Sequence, residues 1–362
     1  MIRKMLPSTL AVFLLISCSA HQNEDSSPSS SPEIHSTEVV KQSETNVLTE
    51  KLSAPWSIAK HQNVLYISSR NGKIIKLNEE TKEKTAQSLS LIKDIHVEGE
   101  GGFLGFIIAP HFKQTKQAYA YHTYKEGSRI LNRVILMEEQ NNVWVEKQEM
   151  IGSIPGARFH NGGRIKIGPD NKLYVTTGDA LEPSLAQNLE SLAGKILRIN
   201  LDGTIPVDNP YKNSYVYSYG HRNPQGLAWD SNGTLYSTEH GQQAHDEINH
   251  IQAGKNYGWP IIEGDEQASE MVTPLFHTGN ETWAPSGISY ENGYLYIATL
   301  AGSSIVAFNL ADKKPEIFFD GEGRMRDTLI DNGQMYWISN NTDGRGAPAD
   351  YDDRLYKTLL PH

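Results

Sequence analysis

From about residue 46 onward, short runs of Val, Ile, Leu and Tyr alternate with polar positions, and turn dipeptides interrupt them at strand-like spacing. No stretch keeps the 3.6-residue period of an amphipathic helix, so the chain reads as all-β with brief helical turns, Ser184–Leu192 being a candidate. One phrase returns along the chain: Val64-Leu65-Tyr66-Ile67, Tyr119-Ala120-Tyr121, Leu173-Tyr174-Val175, Leu235-Tyr236-Ser237, Leu295-Tyr296-Ile297 and Met335-Tyr336-Trp337. Most copies follow a turn signal, as in Asn232-Gly233-Thr234 and Asn292-Gly293-Tyr294. The copies lie roughly 40 to 60 residues apart, the length of a four-stranded unit in a radial array. Six such units predict a six-bladed β-propeller with a funnel at one end of its axis. Closing the ring removes exposed sheet edges. The last strand-like segment, Arg354-Leu355-Tyr356-Lys357, is therefore expected to pair with an N-terminal strand near Leu48 to Ile58.

Length adds one point: 362 residues could hold two average domains, but a closed array of similar units runs this long as one, expected over 47–360. The formal charge of −10 and the lack of any basic run argue against a nucleic-acid partner, because phosphate binding takes a basic face.

The N-terminus reads as an address. Arg3 and Lys4 precede a short apolar stretch, Leu10 to Ile16, and Ser17-Cys18 follow, the pattern of an export signal rather than of a spanning helix. Leu15-Ile16-Ser17-Cys18 resembles a bacterial lipobox, so residues 1–18 are expected to be a lipoprotein signal ending at a lipidated Cys18. Cys18 is the only cysteine, which excludes a disulfide within the chain. Residues 19–46, rich in Ser, Pro and Glu, then form a solvated tether, and the domain faces outside the cytoplasm on a membrane anchor.

Four segments are unusually polar. Arg158-Phe159-His160-Asn161-Gly162-Gly163-Arg164 sets a histidine beside two glycines, so its ring can face an open pocket and take a proton; a turn histidine bonded to backbone is the plainer alternative. Gly220-His221-Arg222-Asn223-Pro224 offers a guanidinium fork, and the proline pushes Asn223 into an extended conformation that aims its amide outward. Glu239-His240-Gly241-Gln242, continuing to Asp246-Glu247 and then Asn256-Tyr257-Gly258-Trp259, combines carboxylates with bare loop carbonyls, the hard oxygen donors that Ca²⁺ takes; acidic loops that bind nothing share this composition. Gly323-Arg324-Met325-Arg326-Asp327 points two arginines the same way, which favours an anion between them, either a ligand or Asp327 and Asp343.

Taken in order, with Gly99-Glu100-Gly101-Gly102-Phe103-Leu104-Gly105 ahead of them, these segments resemble the soluble pyrroloquinoline-quinone (PQQ) dependent glucose and aldose sugar dehydrogenases over about residues 50 to 357. The resemblance implies a six-bladed propeller with PQQ at the funnel mouth. It implies that His160 is the general base for the anomeric hydroxyl, that Arg222 and Asn223 contact the quinone oxygens, that Arg324 and Arg326 hold carboxylates of PQQ, and that Glu100 lies beside the cofactor. It further implies carbonyls of Gly241 and Gln242 on a calcium that touches PQQ, and Glu247 with the Tyr257 carbonyl on a second, structural calcium. Two positions depart from the pattern: Ala301 stands where soluble glucose dehydrogenase has a cation, and Gln242 where proline is frequent.

The expected activity is oxidation of aldoses to lactones, with electrons passed to an acceptor that the sequence does not name. The oligomeric state is likewise unspecified. Two alternatives stay open: a surface propeller that binds sugar or PQQ without chemistry, which Ala301 favours, and a calcium-dependent lactonase, which the His and Arg content of the polar segments disfavours.

Overall fold

In the computed structural model, which describes residues 44–360, nearly all regular structure is strand, and the strands run as antiparallel groups of four. Four groups are separate sheets; the other eight strands form one sheet whose halves meet where Ser88, Leu89 and Ser90 pair in parallel with Val143, Trp144 and Val145. Residues 42–362 form one compact unit, and the other unit, Met1–Lys41, lies outside the described residues.

Each copy of the repeated phrase lies on the second strand of a group: Val64–Ser69, Gln117–Glu126, Leu173–Thr177, Leu235–Glu239, Tyr294–Thr299 and Gln334–Ser339. These strands are largely buried on both faces, so they carry consecutive apolar residues without strict alternation, and Leu173–Thr177 and Leu235–Glu239 end in buried Thr or Glu where they meet the loops. Among the described residues the helical turns are Phe112–Thr115 and the 3-10 turn Pro183–Ala186. The expected helical segment Ser184–Leu192 thus shortens to its first residues. Beyond them Asn188 Oδ1 accepts the Glu190 N–H and Ser191 Oγ the Ala193 N–H, local bonds that compete with a helix.

The first strands are Pro55–His61, Phe103–Ile108, Ile165–Ile167, Pro224–Trp229, Pro285–Glu291 and Met325–Asp331. They touch one another in succession, the last against the first. Close approach here needs small residues: a Cβ on Gly226 would lie 2.4 Å from the Ser286 carbonyl, and one on Gly287 would lie 1.8 Å from Asp327 Oδ1. Polar groups tie the first strands together. Asp327 Oδ2 accepts the Ile58 N–H at 2.8 Å and faces Arg164 Nη1 at 3.0 Å, while Arg164 Nε donates to the Gln225 carbonyl at 2.8 Å.

Apolar clusters fill the spaces between consecutive groups, as where Ala228, Tyr236 and Ile248 meet Ile288, Leu295 and Phe308. The last group packs back on the first through Ile58, Leu65 and Ile67 against Tyr336, Ile338 and Leu355. The chain ends also close on each other: Asn46–Thr49 pairs antiparallel with Leu355–Leu359, Val47 opposite Tyr356. That is the pairing expected for the last strand, formed at the start of the anticipated N-terminal stretch. Because each group is antiparallel, the loops before first strands and those after second strands share one edge; residues 158–164, 220–223, 240–246 and 323–324 lie on such loops, while 256–259 follow a third strand.

Candidate active site

His160 lies in the loop before the strand Ile165–Ile167, in the left-handed backbone region at φ 59°. Its carbonyl packs so closely on the next loop that a Cβ at Gly178 would lie 2.1 Å away, so residue 178 has to be glycine. Two carboxylates hold the histidine. Its N–H donates to Glu100 Oε2 at 3.0 Å, and its ring Nδ1 lies 2.8 Å from Asp179 Oδ1. A carboxylate only accepts, so Nδ1 carries the ring proton and Nε2 keeps its lone pair. Asp179 is buried and further fixed by the Leu181 N–H at 2.9 Å and the Trp259 indole N–H at 2.8 Å. The result is a cavity of about 510 Å³ walled by His160, Asp179, Leu181, Arg222, Gln242 and Trp259.

Arg222 stacks over the Trp259 ring at 5.3 Å and donates from Nη1 to the His240 carbonyl at 3.2 Å. Its Nε and the Nε2 of His240 are buried without a protein partner, two polar atoms that a bound group can satisfy. Burial pushes the His240 imidazole down to about 4, against the opposing pull of Asp246 and Glu100. Asn223 does not aim outward as expected: it is buried, with Oδ1 accepting the Gly162 N–H at 3.1 Å and Nδ2 donating to Glu100 Oε2 at 3.3 Å. The extended backbone before Pro224 instead directs the amide into the joint between two loops. Glu100 therefore joins His160, Asn223 and, at 3.2 Å, Arg345. Burial works to raise its pKa, but His240, Arg345 and the His160 N–H outweigh it and the net direction is down.

The two arginines of the fourth segment take different places. Arg324 lines a second cavity of about 430 Å³ together with Ala301, Ser303, Asn341 and Arg345, and donates from Nε and Nη2 to Asp343 Oδ2 at 3.1 and 2.9 Å. Arg326 is buried behind it, with Nη2 at 3.5 Å from the same Asp343 oxygen and Nη1 donating to Gln225 Oε1 at 3.0 Å. Burial lowers the Arg326 pKa to about 9, Asp343 opposing. The anion between the paired arginines is thus the chain's own Asp343. Asp327 belongs to Arg164 instead.

In the acidic segment, the Gly241 N–H donates to Asp246 Oδ1 at 3.0 Å and the Gln242 N–H to Glu263 Oε1 at 2.8 Å. A proline at 242 has no such donor, so this residue ties the loop by a bond that proline lacks. Glu239 and Glu247 are both buried and share Asn249 Nδ2, at 3.3 and 3.0 Å. Burial pushes Glu239 up to about 7; burial and then repulsion from Glu239 push Glu247 up to about 8. The two line a space of about 10 Å³ with Gly241 and Tyr257, and Asn249 Oδ1 beside them is buried without a partner. Such a set of oxygens suits one hard cation or one water. Among the described residues no group of three or more His, Cys, Asp or Glu side chains converges on a metal position.

The structure thus sets His160 and Arg222 on one cavity, with Glu100 and Asn223 bonded behind the histidine loop, and sets Arg324 on a second. Glu100 and Arg345 connect the two. Cys18, the leader and the tether up to residue 43 lie outside the described residues. Sequence reasoning missed Asp179 and Arg345. Each follows a second strand on the polar edge, and that placement in the repeat was the available signal.

The family model for glucose/sorbosone dehydrogenase matches residues 52–353. The quinoprotein glucose dehydrogenase B of Acinetobacter calcoaceticus is 35% identical over 235 residues, 56% of this chain and 49% of that protein, so the chain spans about half the length of this relative. The aldose sugar dehydrogenase YliI of Escherichia coli is 27% identical over 342 residues, 82% of this chain and 90% of that protein. Among solved structures, the PQQ-bound aldose sugar dehydrogenase of Streptomyces coelicolor superposes with a TM-score of 0.81 at 34% identity, covering 88% of this chain and 98% of that one.

Proposed function

This chain belongs to the glucose/sorbosone dehydrogenase family, and from that premise we propose that it oxidises the anomeric carbon of aldoses to lactones with PQQ as the electron acceptor in its site. The six groups of strands are then blades of a propeller, a reading supported by the closed succession of first strands and the pairing of Asn46–Thr49 with Leu355–Leu359. The observation that carries the proposal is the His160–Asp179 pair on the cavity wall, which orients one ring nitrogen and leaves the other free.

The chemistry follows from that pair. PQQ, when bound, supplies an acceptor for the hydride leaving C1 of the sugar. His160 Nε2 takes the proton of the anomeric hydroxyl as the C1–O bond becomes a carbonyl, and Asp179 steadies the imidazolium that forms. Arg222, held over Trp259, sets a fixed cation on the same wall, where negative charge develops as the hydride arrives. Trp259 gives the cavity an aromatic face against which a sugar ring packs, and its bond to Asp179 couples that face to the base. The residues present fit an anionic quinone: Arg222 sets a cation on the cavity wall, and its buried Nε and the Nε2 of His240 await partners.

Calcium belongs to the same proposal. Carbonyls of Gly241 and Gln242 would hold one ion beside the cofactor, where a divalent cation polarises a quinone oxygen. Glu247 with the Tyr257 carbonyl would hold another, and Glu239 and Asn249 are further donors at that position. Cys18 is proposed as a lipidated N-terminus that keeps the enzyme on the outer side of the membrane; a Cys18→Ser chain should then leave the membrane fraction.

Titration of PQQ into calcium-loaded protein, followed by a panel of aldoses with an artificial acceptor, tests the function. The expected result is a PQQ-dependent spectrum and sugar-dependent reduction of the dye. No spectral change at saturating PQQ would sink the proposal, and binding without oxidation of any sugar would favour a non-catalytic propeller.

A further inference from the structure

Ala301 lines the second cavity and puts only a methyl group on its wall. Several arginines approach this region, and they differ in how far their donors are already used. Arg326 is buried against Asp343 and Gln225. Arg324 spends Nε and Nη2 on Asp343 and Nη1 on the Leu300 carbonyl at 3.3 Å, and its side chain is only 14% exposed. Arg70 donates from Nη2 to the Asp343 carbonyl at 3.1 Å. Arg345 is different: its side chain is 50% exposed, and its recorded ionic partner is Glu100, with Nη1 at 3.2 Å from Oε1.

The chain presents Arg345 to this cavity in a fixed way. Its N–H donates to Asp343 Oδ1 at 2.8 Å, so the carboxylate that neutralises Arg324 and Arg326 also anchors the backbone under Arg345. Gly346 beside it packs so closely that a Cβ would lie 2.5 Å from the Asn341 carbonyl. Farther out, the guanidinium stacks over the Phe159 ring at 4.9 Å, next to His160 in the chain. Glu100, its partner, also accepts the His160 N–H. Arg345 therefore lines the arginine cavity while reaching the carboxylate that holds the base.

We propose that Arg345 binds a carboxylate of PQQ at this cavity, beside the uncharged wall that Ala301 forms. The proposal rests on the PQQ reading above. A planar fork stacked on an aromatic face is well suited to a carboxylate, and half its surface is open to receive one. Glu100 holds the fork in place until then, and after binding the arginine has an acid on each side. Arg345 also joins the cofactor's carboxylate side to the loop that carries His160.

The test is PQQ titration, followed by absorbance and by quenching of tryptophan emission, into five calcium-loaded proteins: wild type, Arg345→Gln, Arg345→Lys, Ala301→Lys, and the double variant of Arg345→Gln with Ala301→Lys. Loss of one charge-assisted contact predicts that Arg345→Gln binds about 10- to 150-fold more weakly, and that adding Ala301→Lys to it restores much of that loss. The unfolding midpoint of the cofactor-free Arg345→Gln protein should match wild type, since the side chain is half exposed. Arg345→Lys, which keeps the charge and loses the fork, should fall between wild type and Arg345→Gln. Wild-type binding with an unchanged constant in Arg345→Gln overturns the inference while leaving the PQQ reading intact. A double variant no tighter than Arg345→Gln overturns the placement of that carboxylate beside residue 301. A wild-type protein that shows no PQQ signal overturns the reading itself, and the inference with it.

Discussion

The two cavities on the polar edge handle charge in opposite ways. At His160 the supporting groups consume one ring nitrogen and leave the other without a protein partner, so the site is held in place and still reactive. At Arg324 the supporting acid takes Nε and Nη2 and the Leu300 carbonyl takes Nη1, so every nitrogen is engaged, and Arg326 is buried. Both segments look equally rich in chemistry when read as strings of residue types. What separates them is the location of the counter-charge: Asp179 sits behind the histidine, whereas Asp343 sits between the arginines. A cation on a loop marks a ligand site only where the chain has not already neutralised it.

The largest expected effect breaks the reactive side. His160→Ala should lower kcat by about 10³-fold or more while leaving PQQ affinity close to wild type, measured by dye reduction and by titration. Equal loss of binding and turnover would mean that His160 holds the cofactor and is not the base. On the arginine side, Asp343→Asn leaves buried Arg326 without its acid, and should cost on the order of 3 kcal/mol in denaturant unfolding. A protein of unchanged stability with tighter PQQ binding would show that the arginines were available after all.

Asp179→Asn sharpens the first half of the comparison. It keeps the size of the side chain but removes the acid that fixes the histidine tautomer, so kcat should fall by at least about 100-fold with little change in stability. The smallest effect separates folding from chemistry. Burial, with Arg133 alongside, pushes His122 from 6.5 down to about 3, and its Nε2 accepts the Arg133 Nε–H at 2.8 Å. Between those two values the unfolded chain holds more protons than the folded one, so stability falls as the pH drops. The slope is on the order of 1.4 kcal/mol per pH unit, and the contribution is complete above 6.5. His122→Gln should flatten that slope in urea unfolding between about pH 7 and pH 4, with no change in the pH profile of kcat. A slope equal to wild type would remove His122 from the account.

Much of the architecture was legible because a repeated phrase has one physical cause. A second strand covered on both faces carries consecutive apolar residues, and the same demand recurs in group after group, so Leu173–Thr177 and Leu235–Glu239 announce themselves alike. The pairing of the two chain ends was legible for a related reason: an open edge at Leu355–Leu359 has to be covered. The helical segment after Pro183 was not, because the side chains of Asn188 and Ser191 capture backbone N–H groups that a longer helix needs. Asn223 misled for the opposite reason. The restriction before Pro224 sets its backbone, but what the amide meets depends on Glu100, more than a hundred residues earlier.

On its own, then, the amino-acid order determined the all-β class, the recurring unit, the polar edge and which residue types crowd there, since these follow from local periodicity and turn chemistry. Tertiary structure alone decided which of those residues act together. Asp179 on His160 and Asp343 between Arg324 and Arg326 join the two polar loops of a single group, and Glu100, reaching both Arg345 and the histidine loop, joins different groups. Whether a charge is spent or free depends on its distance to a partner, and distances across a ring of sheets are set by how the groups pack.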